Sequence, residues 1–135
     1  MTRALEIVSK MLAADEFSRW LNVNLIEVKP GYCKLSVVVN KLMLNGFKIA
    51  HGGICFSISD SALAFAANAN GFICYTIETS LSYHKKILLE DRLTVEAKEL
   101  YKTENNAHYE VTVYNIQREI VSVMNGIVHV SKKEW

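Results

Sequence analysis

The sequence predicts an α+β protein in which an antiparallel sheet of about six strands curls around one long central helix, with a further helix at the N-terminus. Two observations indicate this fold class. The segment 54–70 is apolar or small on nearly every side, as in a helix enclosed by protein, and the chain after Gly71 alternates with period two. One helix cannot cover both faces of a flat sheet, so we expect the sheet to curl around it. With 135 residues, we expect one domain over 1–135.

The first predicted elements precede the long helix. Apolar residues recur at spacings of mostly three and four over 3–21, which predicts an amphipathic helix. These residues are Leu5, Ile7, Val8, Met11, Leu12, Phe17, Trp20 and Leu21. A strand is predicted over 23–29, and Pro30 with Gly31 predicts the turn into a second strand over 33–40.

The long helix is predicted over 54–70 and is closed by Gly71, a residue type that favours a left-handed cap. Its small residues are Ser57, Ser59, Ser61, Ala62, Ala64, Ala66 and Ala67. Four strands follow, separated by short polar links, over 73–84, 91–101, 108–116 and 119–130. The sheet face away from the helix has no helix of its own, so we expect a second subunit to cover it.

The composition argues against several classes of protein. Its 15 basic and 14 acidic residues nearly balance and form no long basic block, so a nucleic-acid partner is not expected. Three cysteines without a CxxC spacing are typical of reduced thiols in the cytoplasm. Charges interrupt the N-terminal apolar residues, unlike a signal peptide, and the run 54–67 is too short to span a bilayer. We therefore expect a cytoplasmic protein that does not bind membranes.

The stretch NGFKIAHGGICFSISD, residues 45–60, carries the side chains best suited to chemistry. Gly52 and Gly53 stand at the start of a helix, where unpaired N–H groups and the helix dipole stabilise an anion or a developing oxyanion. His51 and Asn45 could each hydrogen-bond to a carbonyl or a water at the same place. Asp60 is a carboxylate among apolar residues, so it is paired with another group, solvated in a cavity, or takes part in the function.

Each of these residues also has a purely structural interpretation. Asn45-Gly46 and His51-Gly52-Gly53 are typical of turns, and Asp60 could bond to a backbone group or a nearby serine. No GxSxG motif provides a nucleophilic serine. The four histidines lack metal-binding spacings, so no metal site is predicted. Cys55 has no adjacent base and is expected to be a packing residue.

The distance between the glycines and Asp60 predicts an assembly. Asp60 lies two helical turns, roughly 11 Å, beyond the glycine turn, which is too far for one reacting centre within a single chain. Two copies of the helix in antiparallel orientation would bring the Asp of one chain to the glycine turn of the other. We therefore expect at least a homodimer, with two symmetric composite sites.

On these residues the sequence resembles the PaaI-like acyl-CoA thioesterases of the phenylacetic acid degradation type, which have the hotdog fold. The resemblance rests on Asn45, on His51-Gly52-Gly53 six residues later, and on Asp60 nine residues after the histidine. It also includes the helix SISDSALAFAANANG and the later segment LSYHKKILLEDRLTVEAKEL, and it covers about 21–130. It implies that the protein hydrolyses an acyl-CoA thioester as a homotetramer, a dimer of dimers.

The resemblance also implies a role for each site residue. Asp60 would be the catalytic carboxylate, acting either as a general base on water or as a nucleophile. The Gly52 N–H, contributed by the partner subunit, would polarise the thioester carbonyl. Asn45 and His51 would position the carbonyl or the water, and Thr76 would help to hold the water.

The contacts with the rest of the substrate are implied less specifically. Gly53 would contribute to the substrate-binding turn, and Lys85 or Lys86 could meet the CoA phosphates. The implied substrates are phenylacetyl-CoA, its ring-hydroxylated relatives and medium-chain acyl-CoAs, with CoA as part of the substrate and no cofactor. The family usually has a proline after the aromatic residue of this strand, where this chain has Tyr83-His84-Lys85-Lys86. The sequence therefore does not determine which residues form the CoA-binding loop.

Two other functions remain as alternatives from the sequence. One is a non-catalytic acyl-CoA-binding module of the same fold, against which the retained Asp60 argues, because a binding protein has no use for a carboxylate near a thioester. The other is an enoyl-thioester hydratase or dehydratase that would recruit His51. The glycine turn around His51 suits carbonyl binding better than that chemistry.

Overall fold

The computed structural model describes residues 1–135 and contains three α-helices, one short 3₁₀ helix and six strands. The helices are α1 (Arg3–Ala14), α2 (Glu16–Trp20) and α3 (Gly52–Asn68), and the 3₁₀ helix is Lys41–Met43. The strands are β1 (Asn24–Lys29), β2 (Tyr32–Val38), β3 (Phe72–Tyr83), β4 (Arg92–Lys102), β5 (Asn106–Tyr114) and β6 (Ile120–Glu134). The predicted antiparallel sheet of six strands around one long helix is confirmed.

The six strands form one curved sheet in the order β1-β2-β4-β5-β6-β3, and every neighbouring pair is antiparallel. Helix α3 packs against all six strands. Strand β3 follows α3 directly but lies at the far edge of the sheet, paired only with β6. One side of this 12-residue strand therefore has no backbone partner within the protomer.

Helix α3 is buried because small and apolar residues surround it. Ile58, Ala62, Leu63 and Ala66 have no exposed surface. Gly126, in the middle of β6, allows the helix to approach the sheet, since a Cβ atom there would lie 2.7 Å from Leu63 Cδ2. The helix ends as predicted before a glycine with positive φ, Gly71 at +104°.

Two predictions of element extent were wrong, whereas the other boundaries lie within two residues of those predicted. The N-terminal helix predicted over 3–21 is interrupted at Asp15, whose backbone leaves the helical region and whose side chain accepts the N–H of Ser18 at 2.9 Å to cap α2. The apolar periodicity continues through this break, so the pattern did not reveal it. Strand β6 also extends four residues beyond its predicted end, to Glu134, because its last residues pair with the start of β3 at Phe72.

Candidate active site

Asn45 organises the loop that precedes α3. Its backbone N–H donates to the carbonyl of Ile49 at 2.8 Å, and its carboxamide oxygen accepts the N–H of Phe47 at 2.9 Å. These bonds identify the oxygen as the end that faces the loop, so the NH₂ group is left without a partner in the protein. Asn45 is therefore a turn residue, as its structural interpretation required, and it also offers a free donor at the site.

His51 is the N-cap of α3. Its Nδ1 accepts the N–H of Gly53 at 2.8 Å, which places the proton of the neutral imidazole on Nε2. The Ile54 N–H donates to the His51 carbonyl at 2.9 Å. The Gly52 N–H is thus the one amide among the first three of the helix that has no partner, and it stands at the positive end of the helix dipole.

Gly53 differs from its predicted role in one respect. Its N–H is already bound to His51, so it is not a free donor for a substrate carbonyl. A part in substrate binding could rest only on the absence of a side chain at this exposed position. The oxyanion donor that the helix N-terminus offers is therefore Gly52 alone.

Tyr83, at the end of β3, fixes the position of Gly52. Its hydroxyl donates to the Gly52 carbonyl at 2.9 Å, and a Cβ atom on residue 52 would lie 3.1 Å from that hydroxyl oxygen. Glycine is consequently favoured at 52 by close packing as well as by access to the N–H. The sequence analysis named Tyr83 only as the aromatic residue before the lysines and gave it no role at the site, because its only signal was an aromatic residue at a strand end.

A cavity of about 440 Å³ opens at the N-terminus of α3. Five of the predicted site residues line it, namely Asn45, His51, Gly52, Lys85 and Lys86. The other lining residues are Ile49, Ala50, Cys55, Tyr83, His84 and Ile87. The free donors of Asn45 and Gly52 therefore share one cavity with two cationic side chains.

The two lysines differ in whether they form an ion pair. The Lys85 ammonium lies 2.7 Å from a carboxylate oxygen of Glu119, and this hydrogen bond holds the pKa of Glu119 below its ordinary range. Lys86 is exposed and has no ion-pair partner. Both could meet an anion at the rim of the cavity, but only Lys86 would do so without giving up an existing ion pair.

Asp60 does not line this cavity. The residues of α3 that are not buried recur at helical spacing along one strip, which consists of Gly52, Gly53, Phe56, Ser57, Asp60 and Ala64. Asp60 lies in the middle of this strip, whose residues keep part of their surface exposed in the protomer. The structure therefore separates the carboxylate from the glycine turn within one chain, as the spacing predicted.

Thr76 on β3 is the hydrogen-bond partner of Asp60. Its hydroxyl donates to the Asp60 carboxylate at 3.2 Å. The β3–β6 register shifts between Thr76 and Glu78, and such bulges re-aim side chains near functional sites. Burial raises the pKa of Asp60, the bond from Thr76 lowers it, and the nearby charge of Asp15 raises it. The net direction is upward, which makes the Asp60 carboxylate a stronger base towards a water molecule.

The other candidate groups have structural environments. The Cys55 thiol donates to the Ser122 hydroxyl at 3.0 Å, and burial raises its pKa, so it is a packing residue and not an activated nucleophile. No group of three or more His, Cys, Asp or Glu side chains comes together in a way that could hold a metal ion. None of the helices combines the length and the apolar character needed to cross a membrane.

Comparison with known proteins places this chain in a family. Residues 47–122 match the family model of the thioesterase superfamily. A protein of Archaeoglobus fulgidus that carries an esterase name is 34% identical over 119 residues, 88% of this chain and 77% of that protein. The acyl-coenzyme A thioesterase PaaI of Escherichia coli K12 is 25% identical over 127 residues, 94% of this chain and 91% of that protein.

Solved structures show the same fold. The E. coli PaaI structure superposes with a TM-score of 0.94 at 24% identity, over 98% of this chain and 96% of that chain. A thioesterase protein of Streptococcus pneumoniae, solved with coenzyme A, superposes with a TM-score of 0.87 at 21% identity, over 93% and 98% of the two chains. This chain belongs to the thioesterase superfamily, and its fold is the hotdog fold of the PaaI-like enzymes.

Proposed function

We propose that this thioesterase hydrolyses acyl-CoA thioesters at a site that two protomers share. One observation carries the proposal: the free Gly52 N–H lies in a cavity, whereas Asp60, bonded to Thr76 of β3, lies two turns away on a partly exposed strip of the same helix. Neither half is a complete hydrolytic site. A second copy with its α3 antiparallel to the first would place the carboxylate of one chain opposite the cavity of the other.

The division of labour follows from the groups present. The thioester carbonyl oxygen would accept from Gly52 N–H and from the Asn45 NH₂, and negative charge developing on that oxygen is stabilised by such donors. Asp60 would remove a proton from water as the water oxygen attacks the carbonyl carbon. Cleavage of the C–S bond then releases the free acid and the CoA thiol. A direct attack by the carboxylate, followed by hydrolysis of the resulting anhydride, uses the same geometry.

The protomer offers two surfaces for this dimer. The edge of β3 has unpaired backbone groups over 12 residues, with Tyr75 and Ile77 more than half exposed, and the α3 strip lies beside it. Pairing β3 with β3 of a second copy would continue the sheet and bring the two α3 helices together. We further propose that two such dimers form a homotetramer.

The substrate contacts complete the proposal. CoA would enter as part of the substrate, with Lys86, and Lys85 after release from Glu119, near its phosphates. The acyl group would be phenylacetyl, hydroxyphenylacetyl or a medium chain. Hydrolysis by these groups requires no metal or other cofactor, and we propose that the enzyme acts in the cytoplasm.

The relatives support the proposal in two ways. PaaI of E. coli bears the name acyl-coenzyme A thioesterase, and the S. pneumoniae protein was solved with coenzyme A. The S. pneumoniae protein was also solved with an aspartate and, separately, a threonine replaced by alanine. Those two residues are 16 positions apart, the same separation as Asp60 and Thr76.

A free-thiol assay over a panel of acyl-CoA esters tests the reaction and the acyl preference together. We expect thiol release that is fastest with phenylacetyl-type or medium-chain esters. Crotonyl-CoA tests the hydratase alternative, because loss of the enoyl absorbance without thiol release would indicate hydration. Saturable binding of esters with no turnover of any of them would indicate a binding module and contradict the proposal.

A further inference from the structure

A second carboxylate stands close to the Asp60 region, at the break between α1 and α2. Asp15 caps α2, with one carboxylate oxygen accepting the Ser18 N–H at 2.9 Å and the other accepting the Ser18 hydroxyl at 2.6 Å. Ser18 is only 1% exposed, and Asp15 itself is partly buried. The carboxylate is held by two bonds and cannot swing freely into solvent.

A pair of hydroxyl groups connects this cap to the helix that carries Asp60. The hydroxyl oxygens of Ser18 and Ser61 are 2.8 Å apart in a buried contact. Since the hydroxyl hydrogen of Ser18 is donated to Asp15, the bond between the serines runs from Ser61 to Ser18. Ser61 follows Asp60 directly in α3, so the chain Ser61–Ser18–Asp15 fixes the cap of α2 against the turn that holds Asp60.

The charged surroundings of Asp60 are simple. On β3 the neutral hydroxyl of Thr76 donates to Asp60, and at the α1–α2 junction the carboxylate of Asp15, bonded to Ser18, is the nearby charge. No cation is paired with Asp60. The charge at the α1–α2 junction thus has the same sign as the Asp60 carboxylate.

We propose that Asp15 is a positioning residue for the active site: Ser18 and Ser61 hold its negative charge against the turn of α3 that carries Asp60, where it opposes the negative charge of that carboxylate. The inference rests on the proposed function of Asp60. After burial, the Asp15 charge is the second cause that raises the pKa of Asp60, against the lowering effect of the Thr76 bond. A carboxylate with a higher pKa is a stronger base, so this charge adds to catalysis near neutral pH.

The pH profile of kcat/KM tests the proposal. Asp15→Asn removes the charge but keeps a good N-cap residue, because an Asn oxygen can accept the Ser18 N–H. We expect the acid limb of this variant's profile to move to lower pH, and its plateau of kcat/KM above that limb to be lower than in the wild type. The ratio of variant to wild-type kcat/KM should therefore rise as the pH falls. Glu16→Gln is the matched control: it makes the same charge change one residue away, on a side chain that is 89% exposed, and should leave the acid limb unchanged.

The outcomes separate the two proposals. An acid limb for Asp15→Asn at the wild-type pH, or an equal shift in Glu16→Gln, would overturn the role of Asp15. Asp15→Ser keeps a cap and lacks the charge, so it replaces Asp15→Asn if that variant does not fold, with the same expected shift. Wild-type activity of Asp60→Asn would instead overturn the proposed function from which this inference starts.

Discussion

Replacement of Asp60 by asparagine has opposite expected effects on activity and on stability. The change is nearly isosteric, and the Asn oxygen can still accept the Thr76 hydroxyl, which donates at 3.2 Å in the wild type. What is lost is the ability to accept a proton or to attack a carbonyl. A positioned base contributes about 10²- to 10⁴-fold in rate, so we expect kcat to fall by that factor, about 3 to 5 kcal/mol of barrier.

The effect on stability follows from the raised pKa of Asp60, whose main cause is burial. When a carboxyl has a higher pKa in the folded than in the unfolded protein, the folded state binds more protons between the two values, and stability falls as the pH rises through that window. The window begins near the ordinary carboxyl pKa of about 3.9. Above it the wild type keeps a partly desolvated charge that the Asn variant lacks. We therefore expect the variant to melt at a higher temperature at pH 8, with a difference that shrinks towards pH 4.

Thiol release at saturating acyl-CoA and thermal melts over this pH range measure the two effects on the same preparation. Size-exclusion chromatography checks that the variant keeps the assembly state of the wild type. A variant with wild-type kcat would refute the catalytic role of Asp60. A variant that is inactive but less stable than the wild type at every pH would refute the idea that the carboxylate is held there at a cost to the fold.

Three further changes test other parts of the site. Thr76→Val removes the bond that lowers the pKa of Asp60, so the acid limb of kcat/KM should move to higher pH, whereas Thr76→Ser should keep its position. His51→Ala leaves the Gly53 N–H without its acceptor, so the free energy of unfolding, measured with denaturant, should fall by about 1 kcal/mol, and an unchanged value would contradict the cap. Lys86→Ala should raise KM for the CoA ester at unchanged kcat, and the increase in KM should be larger at low salt than at high salt. The KM for an N-acetylcysteamine thioester, which lacks the phosphates, should not change. An equal effect on both thioesters would exclude phosphate contact.

The sequence predicted the parts of the fold that depend on local periodicity. Local structure follows from three features: the small and apolar residues of α3, the glycine after it and the alternation of the later strands. Each favours one local structure, and the protein adopts that structure. The break at Asp15 was missed because the apolar spacing runs through it, and only a side-chain cap, which competes with helix continuation, interrupts the backbone.

The site was predictable to the extent that it is continuous in sequence. Asn45, His51 and Gly52 meet at one cavity because a short loop and a helix start hold them together. The contact of Tyr83 with Gly52 and the Ser61–Ser18–Asp15 chain depend on strand register and helix packing, which periodicity does not determine. The Gly53 N–H was predicted to be available, but the His51 ring satisfies it, a choice of partner that only the folded loop reveals.

The central claim, a site shared by two protomers, is tested most directly by mixing two inactive variants. In Asp60→Asn the carboxylate is lost, and in Gly52→Val a bulky side chain fills the cavity next to Tyr83. If each site combines Gly52 of one chain with Asp60 of the other, a mixed dimer has one doubly defective site and one intact site. Co-refolding equal amounts should then restore about a quarter of wild-type thiol release, as random pairing of subunits requires. Activity no higher than that of the two variants alone, in mixed dimers isolated by two affinity tags, would place the whole site within one chain.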